Sequence, residues 1–127
     1  MLAITGWGGR TFYVSKDYLY LKTSFTGPCS AGVTPGDGLQ RFDPATFDNT
    51  RAVGSQLGTP LNIMASSDNV SIQSIASTPS DNILKVVGRK TDDADLVKVY
   101  GTVDDVGLLS WAAQKSTTYS PVTIVKL

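Results

Sequence analysis

Apolar and polar residues alternate in short runs along most of this chain, and clusters of Gly, Pro, Asp, Asn and Ser separate the runs. A period of two puts successive side chains on opposite faces of an extended backbone, so the pattern predicts strands. Residues 2–7 and 10–15 flank Gly8-Gly9, a pair able to take the positive φ angles of a tight hairpin. In residues 17–26, Tyr18, Tyr20 and Lys22 alternate with Leu19, Leu21 and Thr23. One face is aliphatic and the other aromatic to polar, and a strand packed on both faces would be a central one.

The pattern lapses over residues 27–59, which are rich in Gly, Pro, Asp and Thr. This is longer than the usual connection in a compact domain, so it reads as a long contact loop that something local must order. Asp43-Pro44 can cap and open a helix, predicting a short one over 44–52 that stops before Gly54. Alternation returns at Leu61 and Ile63 and again at Val70 and Ile72, where Ile75 breaks the phase. One extra residue near Gln73-Ser74 would restore the inward face, so a β-bulge is expected there.

Ser80-Asp81-Asn82 predicts a turn into a strand over 83–89, and residues 96–103 repeat its apolar character after the polar link 90–95. The two read as antiparallel neighbours. Residues 106–114 are ambiguous: Asp104 or Asp105 could cap a short helix presenting Leu108, Trp111 and Ala112, although Gly107 opposes it. Residues 121–127 read as a closing strand, with Val122 and Ile124 on one face and Thr123, Val125 and Leu127 on the other. The sum is a mainly β chain, one domain over 1–127, forming a small antiparallel sandwich or barrel with one or two short helical turns.

Composition sharpens this picture. The 127 residues are 41% hydrophobic and 17% charged, which suits a globular chain. All eleven acidic residues are Asp, a turn former, where Glu would favour helix. No apolar run approaches the roughly 20 residues that span a bilayer, and residues 1–9 lack the basic start and apolar stretch of a signal peptide. Eleven basic residues balance the acids and are dispersed along the chain, so neither a nucleic acid nor a membrane is the expected partner; only a patch formed by folding would change that.

The chain has no His, which removes Ser–His–Asp and Cys–His catalysis and His-ligated zinc. Cys29, the lone cysteine between Pro28 and Ser30, can form no intrachain disulfide and reads as an unreactive turn thiol. Asp92, Asp93 and Asp95, with Asp104 and Asp105 beyond the next strand, lack EF-hand spacing and read as solvated turns. Gly6, Gly8 and Gly9 lack the spacing of a phosphate-binding loop, and the glycosylation triplet Asn69-Val70-Ser71 has no secretory signal beside it. No catalytic, cofactor-binding or metal-binding residue is therefore expected.

Two sets of residues remain as candidates. Leu2 and Ile4 at one end, with Val122, Ile124, Val125 and Leu127 at the other, are too apolar to stand free and could complete an open sheet edge of a second copy. Tyr18 and Tyr20, opposite the aliphatic face of their strand, form a candidate contact face. In layout the chain is similar to small phage or virus structural proteins such as capsid, decoration and tail components, a likeness of composition that covers no motif. The coat proteins of small RNA phages are near this length, but that resemblance implies two long C-terminal helices, from which residues 120–127 depart. The expectation is a non-enzymatic structural subunit whose partner is itself or a larger protein assembly. The alternatives are a monomeric carbohydrate- or peptide-binding module, or an enzyme whose residues carry no visible signature.

Overall fold

A computed structural model describes residues 12–23, 36–115 and 123–126. Among the described residues nine strands form two antiparallel sheets. The first runs β1 (Phe12–Val14), β2 (Leu19–Thr23), β3 (Gly38–Phe42) and β4 (Leu61–Met64). The second runs β5 (Val70–Ser77), β6 (Leu84–Lys90), β7 (Leu96–Val103), β8 (Leu109–Lys115) and β9 (Thr123–Lys126). Both are meanders in sequence order, and among the described residues two 3-10 turns, Val53–Ser55 and Ser66–Asp68, accompany them. The mainly β sandwich with short helical turns is the observed class.

Alternation builds the core. Leu84, Val86, Val99, Val103 and Ala113 of the second sheet point at Tyr20, Leu39 and Met64 of the first, all of them buried. Burying each aliphatic side chain contributes roughly 1.5–3 kcal/mol, so this shared interior holds the sheets together. Ser74 pairs with Val87 where Ile72 pairs with Gly88, and the register shift between them is the expected bulge, returning Ile75 to the core side.

β2 is central and packed on both faces, but its faces are used the other way round. Tyr20 lies in the core between the sheets at 0% exposure, while Leu19 and Leu21 face away from the second sheet. Over them fold Phe42 and, from the following loop, Phe47 and Val53. Phe47 stands edge-on to Phe12 and Phe42 at 5.4 and 5.2 Å, so the loop after β3 roofs the first sheet.

Three expectations are corrected here. The irregular stretch 27–59 contains β3, whose register slips between Leu39 and Gln40. No helix forms over 44–52: Asp43 Oδ1 accepts from Ala45 N and its carbonyl from Phe47 N, closing one turn. Asp48 then starts a second turn through Thr50 N, and Gln56 locks the loop by accepting from Asp48 N at 2.7 Å and donating to Asp48 O at 2.6 Å. Two competing Asx turns thus leave no room for helical propagation.

The third correction is at 106–114, where 106–108 are hairpin loop and strand β8 begins at Leu109. Asp104 Oδ1 accepts from Val106 N and Leu108 N, and Gly107 N donates to Asp104 O. Gly107 takes φ +87°, the left-handed position that a short hairpin loop of this kind requires. The residue that opposed a helix is the one that closes the β7–β8 hairpin. The expected hairpin at Gly8-Gly9, the candidates Leu2 and Ile4, and Cys29 lie outside the described residues.

Candidate functional site

Asn82 is a polar centre that links the two sheets. Its Oδ1 accepts from Ser15 Oγ at 3.1 Å and Asp17 N at 2.8 Å, its Nδ2 donates to Asp17 Oδ2, and its carbonyl accepts from Tyr20 Oη. Lys16 N also donates to Asp81 O. The group joins the β1–β2 turn to the β5–β6 turn, and so one sheet to the other. It contains a hydroxyl, a carboxylate and a phenol, yet the carboxylate bonds the carboxamide rather than the Ser15 hydroxyl, so no nucleophile is paired with a base. This is a structural clamp.

The expected Tyr18 and Tyr20 contact face is absorbed in the same way. Tyr20 is sealed in the core, and Tyr18 packs against that core with Arg41 Cζ 3.8 Å above its ring centre. Arg41 also donates to Asp105 O at 3.3 Å, tying β3 to the β7–β8 hairpin. Neither tyrosine offers an open face, because the aromatic side of β2 is the side that meets the second sheet.

A recess of about 310 Å³ opens at one end of the first sheet, lined by Thr23, Gln40, Asn62, Met64 and Ser66 among others. Gln40 Nε2 donates to Asn62 Oδ1 at 2.8 Å, so the two amides are already mated. The described lining holds no aromatic ring for a sugar to stack on and no ionisable group for acid–base work.

Sheet edges differ more sharply. At β5, Asp37 N donates to Val70 O at 2.7 Å and Asp37 Oδ2 accepts from Ile72 N at 2.6 Å, so one residue supplies the partners a further strand would have offered at Val70 and Ile72. Gly36 permits this approach: a Cβ there would lie 2.2 Å from Val70 N. At the opposite edge, β9 pairs with β8 on one side and no described residue pairs with its other side. Of the expected self-association residues, Val125 packs on the chain's own core, whereas Ile124 is 64% exposed. Val122 and Leu127 lie outside the described residues.

Sequence reasoning missed an apolar knob at the β7–β8 hairpin tip, where Val106 is 75% and Leu108 64% exposed. Its signal was present in the apolar residues flanking Gly107, but the segment read ambiguously as a short helix presenting Leu108, Trp111 and Ala112.

The aspartates of the connecting turns are occupied locally. Asp93 Oδ1 accepts from Asp95 N, Asp81 Oδ1 from Ile83 N, and Asp92 pairs with Lys90 at 3.3 Å. Among the described residues no group of three or more His, Cys, Asp or Glu side chains is placed to hold a metal ion. No family model, curated protein or solved structure matches this chain.

Proposed function

We propose that this protein is a non-enzymatic structural subunit that assembles with copies of itself or docks on a larger protein lattice, in the manner of a capsid, decoration or tail component. The observation that carries the reading is the contrast between the two edges of the second sheet. Asp37 caps the β5 edge at Val70 and Ile72, while among the described residues nothing pairs with the outer side of β9, where Ile124 is 64% exposed. An open edge with an apolar side chain beside it favours pairing with another chain. The short length of β9 and its Lys126 make such pairing selective, since both discourage indiscriminate edge contact. The exposed Val106 and Leu108 add a second apolar contact of the kind found at docking surfaces.

Multi-angle light scattering across a concentration series, with electron microscopy of the same samples, tests the reading. Expected are oligomers that grow with concentration and that Ile124→Lys shifts towards monomer while the circular dichroism spectrum stays unchanged. A wild-type protein that remains monomeric up to millimolar concentration would sink the proposal. Oligomers unmoved by Ile124→Lys, by Val106→Ser/Leu108→Ser and by removal of residues 121–127 would overturn the assigned surfaces.

A further inference from the structure

The outward side of the second sheet is covered by no described element. Alternation against the buried Leu84, Val86, Val99, Val103 and Ala113 places Lys85 and Arg89 of β6, Lys98 of β7 and Lys126 of β9 on it, all four exposed. No carboxylate stands on that face of the described strands. Gly88 and Val99 are the last pair of the β6–β7 ladder; Arg89 follows Gly88 and Lys98 precedes Val99, so continuing the antiparallel register one step sets the two cations on neighbouring strands about 5 Å apart. Like charges in that arrangement oppose folding, and an anion lying across them relieves the repulsion. Lys85 and Arg89 are four residues apart on one strand, about 13 Å, so the cations form a track rather than a point.

Between them lies an aromatic ring. Tyr100 pairs with Val87 on one side and Ala112 on the other, Ala112 pairs with Lys126, and Tyr100 Oη donates to Gln114 Oε1 at 2.9 Å. Thr102 and Ser110 add hydroxyls beside it. We propose that this face is a platform for single-stranded nucleic acid, with Lys85, Arg89, Lys98 and Lys126 meeting phosphates and Tyr100 stacking on a base. A broad sheet face with a ring among cations suits splayed bases and does not enter a duplex groove. An acidic peptide would engage the cations but leave the ring without a role, and the same face of a second copy would repel it. The dispersed basic residues of the sequence argued against a nucleic-acid surface; strand pairing gathers four of them on one side.

Fluorescence anisotropy with a labelled 12-mer oligothymidine and a duplex of equal length tests the proposal, at protein concentrations where light scattering gives a single species. That condition separates this test from the assembly reading, which can fail without affecting it. Expected is binding at about 100 µM or tighter in 50 mM salt, weakening about 50-fold by 200 mM as four phosphate contacts release their counterions. The single strand should bind more tightly than the duplex. Lys85→Gln/Arg89→Gln/Lys98→Gln should weaken binding at least tenfold and Tyr100→Leu at least fivefold, whereas Tyr100→Phe, which keeps the ring, should stay within twofold. Absence of binding in 50 mM salt overturns the proposal, as does binding that these variants leave unmoved. Equal affinity for the duplex, or an oligomer that the triple variant dissociates without any oligonucleotide binding, overturns it as well, the last by assigning the face to acidic turns of a second copy.

Discussion

Asp37→Ala should destabilise the protein by about 2 kcal/mol, because its carboxylate is the partner of a ladder donor that has no other. Asp37 Oδ2 accepts from Ile72 N at 2.6 Å in a part-buried position, and Ile72 is 7% exposed, so water makes up only part of the lost acceptor. A hydrogen bond to a charged group contributes about 1.5–3 kcal/mol, and leaving a buried donor unsatisfied costs a similar amount. The main-chain bond from Asp37 N to Val70 O survives the substitution, which keeps the expected loss near the lower end of that range. With an unfolding entropy of about 2.1 cal/mol/K per residue, 2 kcal/mol corresponds to a drop of about 7 °C in Tm. Urea denaturation followed by circular dichroism should show a lower midpoint at unchanged slope, and Asp37→Asn, which restores a neutral acceptor, should recover at least half of the loss. The variant should also associate more readily, since the uncapped β5 edge offers free ladder groups. A loss below about 0.5 kcal/mol for Asp37→Ala, or an Asn variant as unstable as the Ala one, would refute the capping argument.

Two further outcomes follow from local geometry. Gly101→Ala would place a Cβ 2.8 Å from Trp111 Cζ3 and 3.1 Å from Leu109 Cδ1, so the indole must move; a loss of about 1–3 kcal/mol with a shifted Trp111 indole resonance is expected, and an unshifted resonance would show that the site has room to spare. Asp48 is held below the ordinary carboxylate value, first by the Thr50 hydroxyl and then by the Thr50 N–H, against an opposing desolvation that outweighs each further lowering by Arg51. Because the folded value is depressed, this stabilisation is fully present above the unfolded value of about 3.9 and is lost as pH falls through the folded one. Asp48→Asn should therefore flatten the fall in urea midpoint below about pH 4, and an Asp48 carboxyl resonance titrating at or above 3.9 in the folded protein would contradict it.

Strands whose inward side chains keep a strict period of two were legible before any coordinates, as β6 and β7 show, and the phase break after Ile72 located the bulge because an extra residue has no other way to restore the inward face. β3 was illegible for the same reason turned round: its slip between Leu39 and Gln40 sends Leu39 to one core and Phe42 to the other, so no alternation survives in five residues. β8 was obscured by Asp104, because a carboxylate accepting a main-chain N–H two residues on is equally the signature of a helix start and of a hairpin loop. That ambiguity recurs at Asp43, Asp48, Asp81 and Asp93, each of which bonds the N–H two residues ahead. The side chain of Asp is short enough to reach that donor, which is the structural meaning of a chain whose acids are all Asp.

The same economy explains why charge is so differently arranged in the sequence and on the surface. Aspartates that close turns are confined to strand ends, where Asp81, Asp93 and Asp104 stand, while lysines and arginines occupy outward positions within β6, β7 and β9. Antiparallel pairing then sets alternate residues of separate segments beside one another, turning an even linear spread into a face of one sign. Net charge is zero over the whole chain, yet the turn chemistry that removes acids from the strands leaves the middle of the second sheet without a counter-charge. The positive face is thus a direct consequence of how this sequence makes its turns, and it could be read only once the register of β6 against β7 was known.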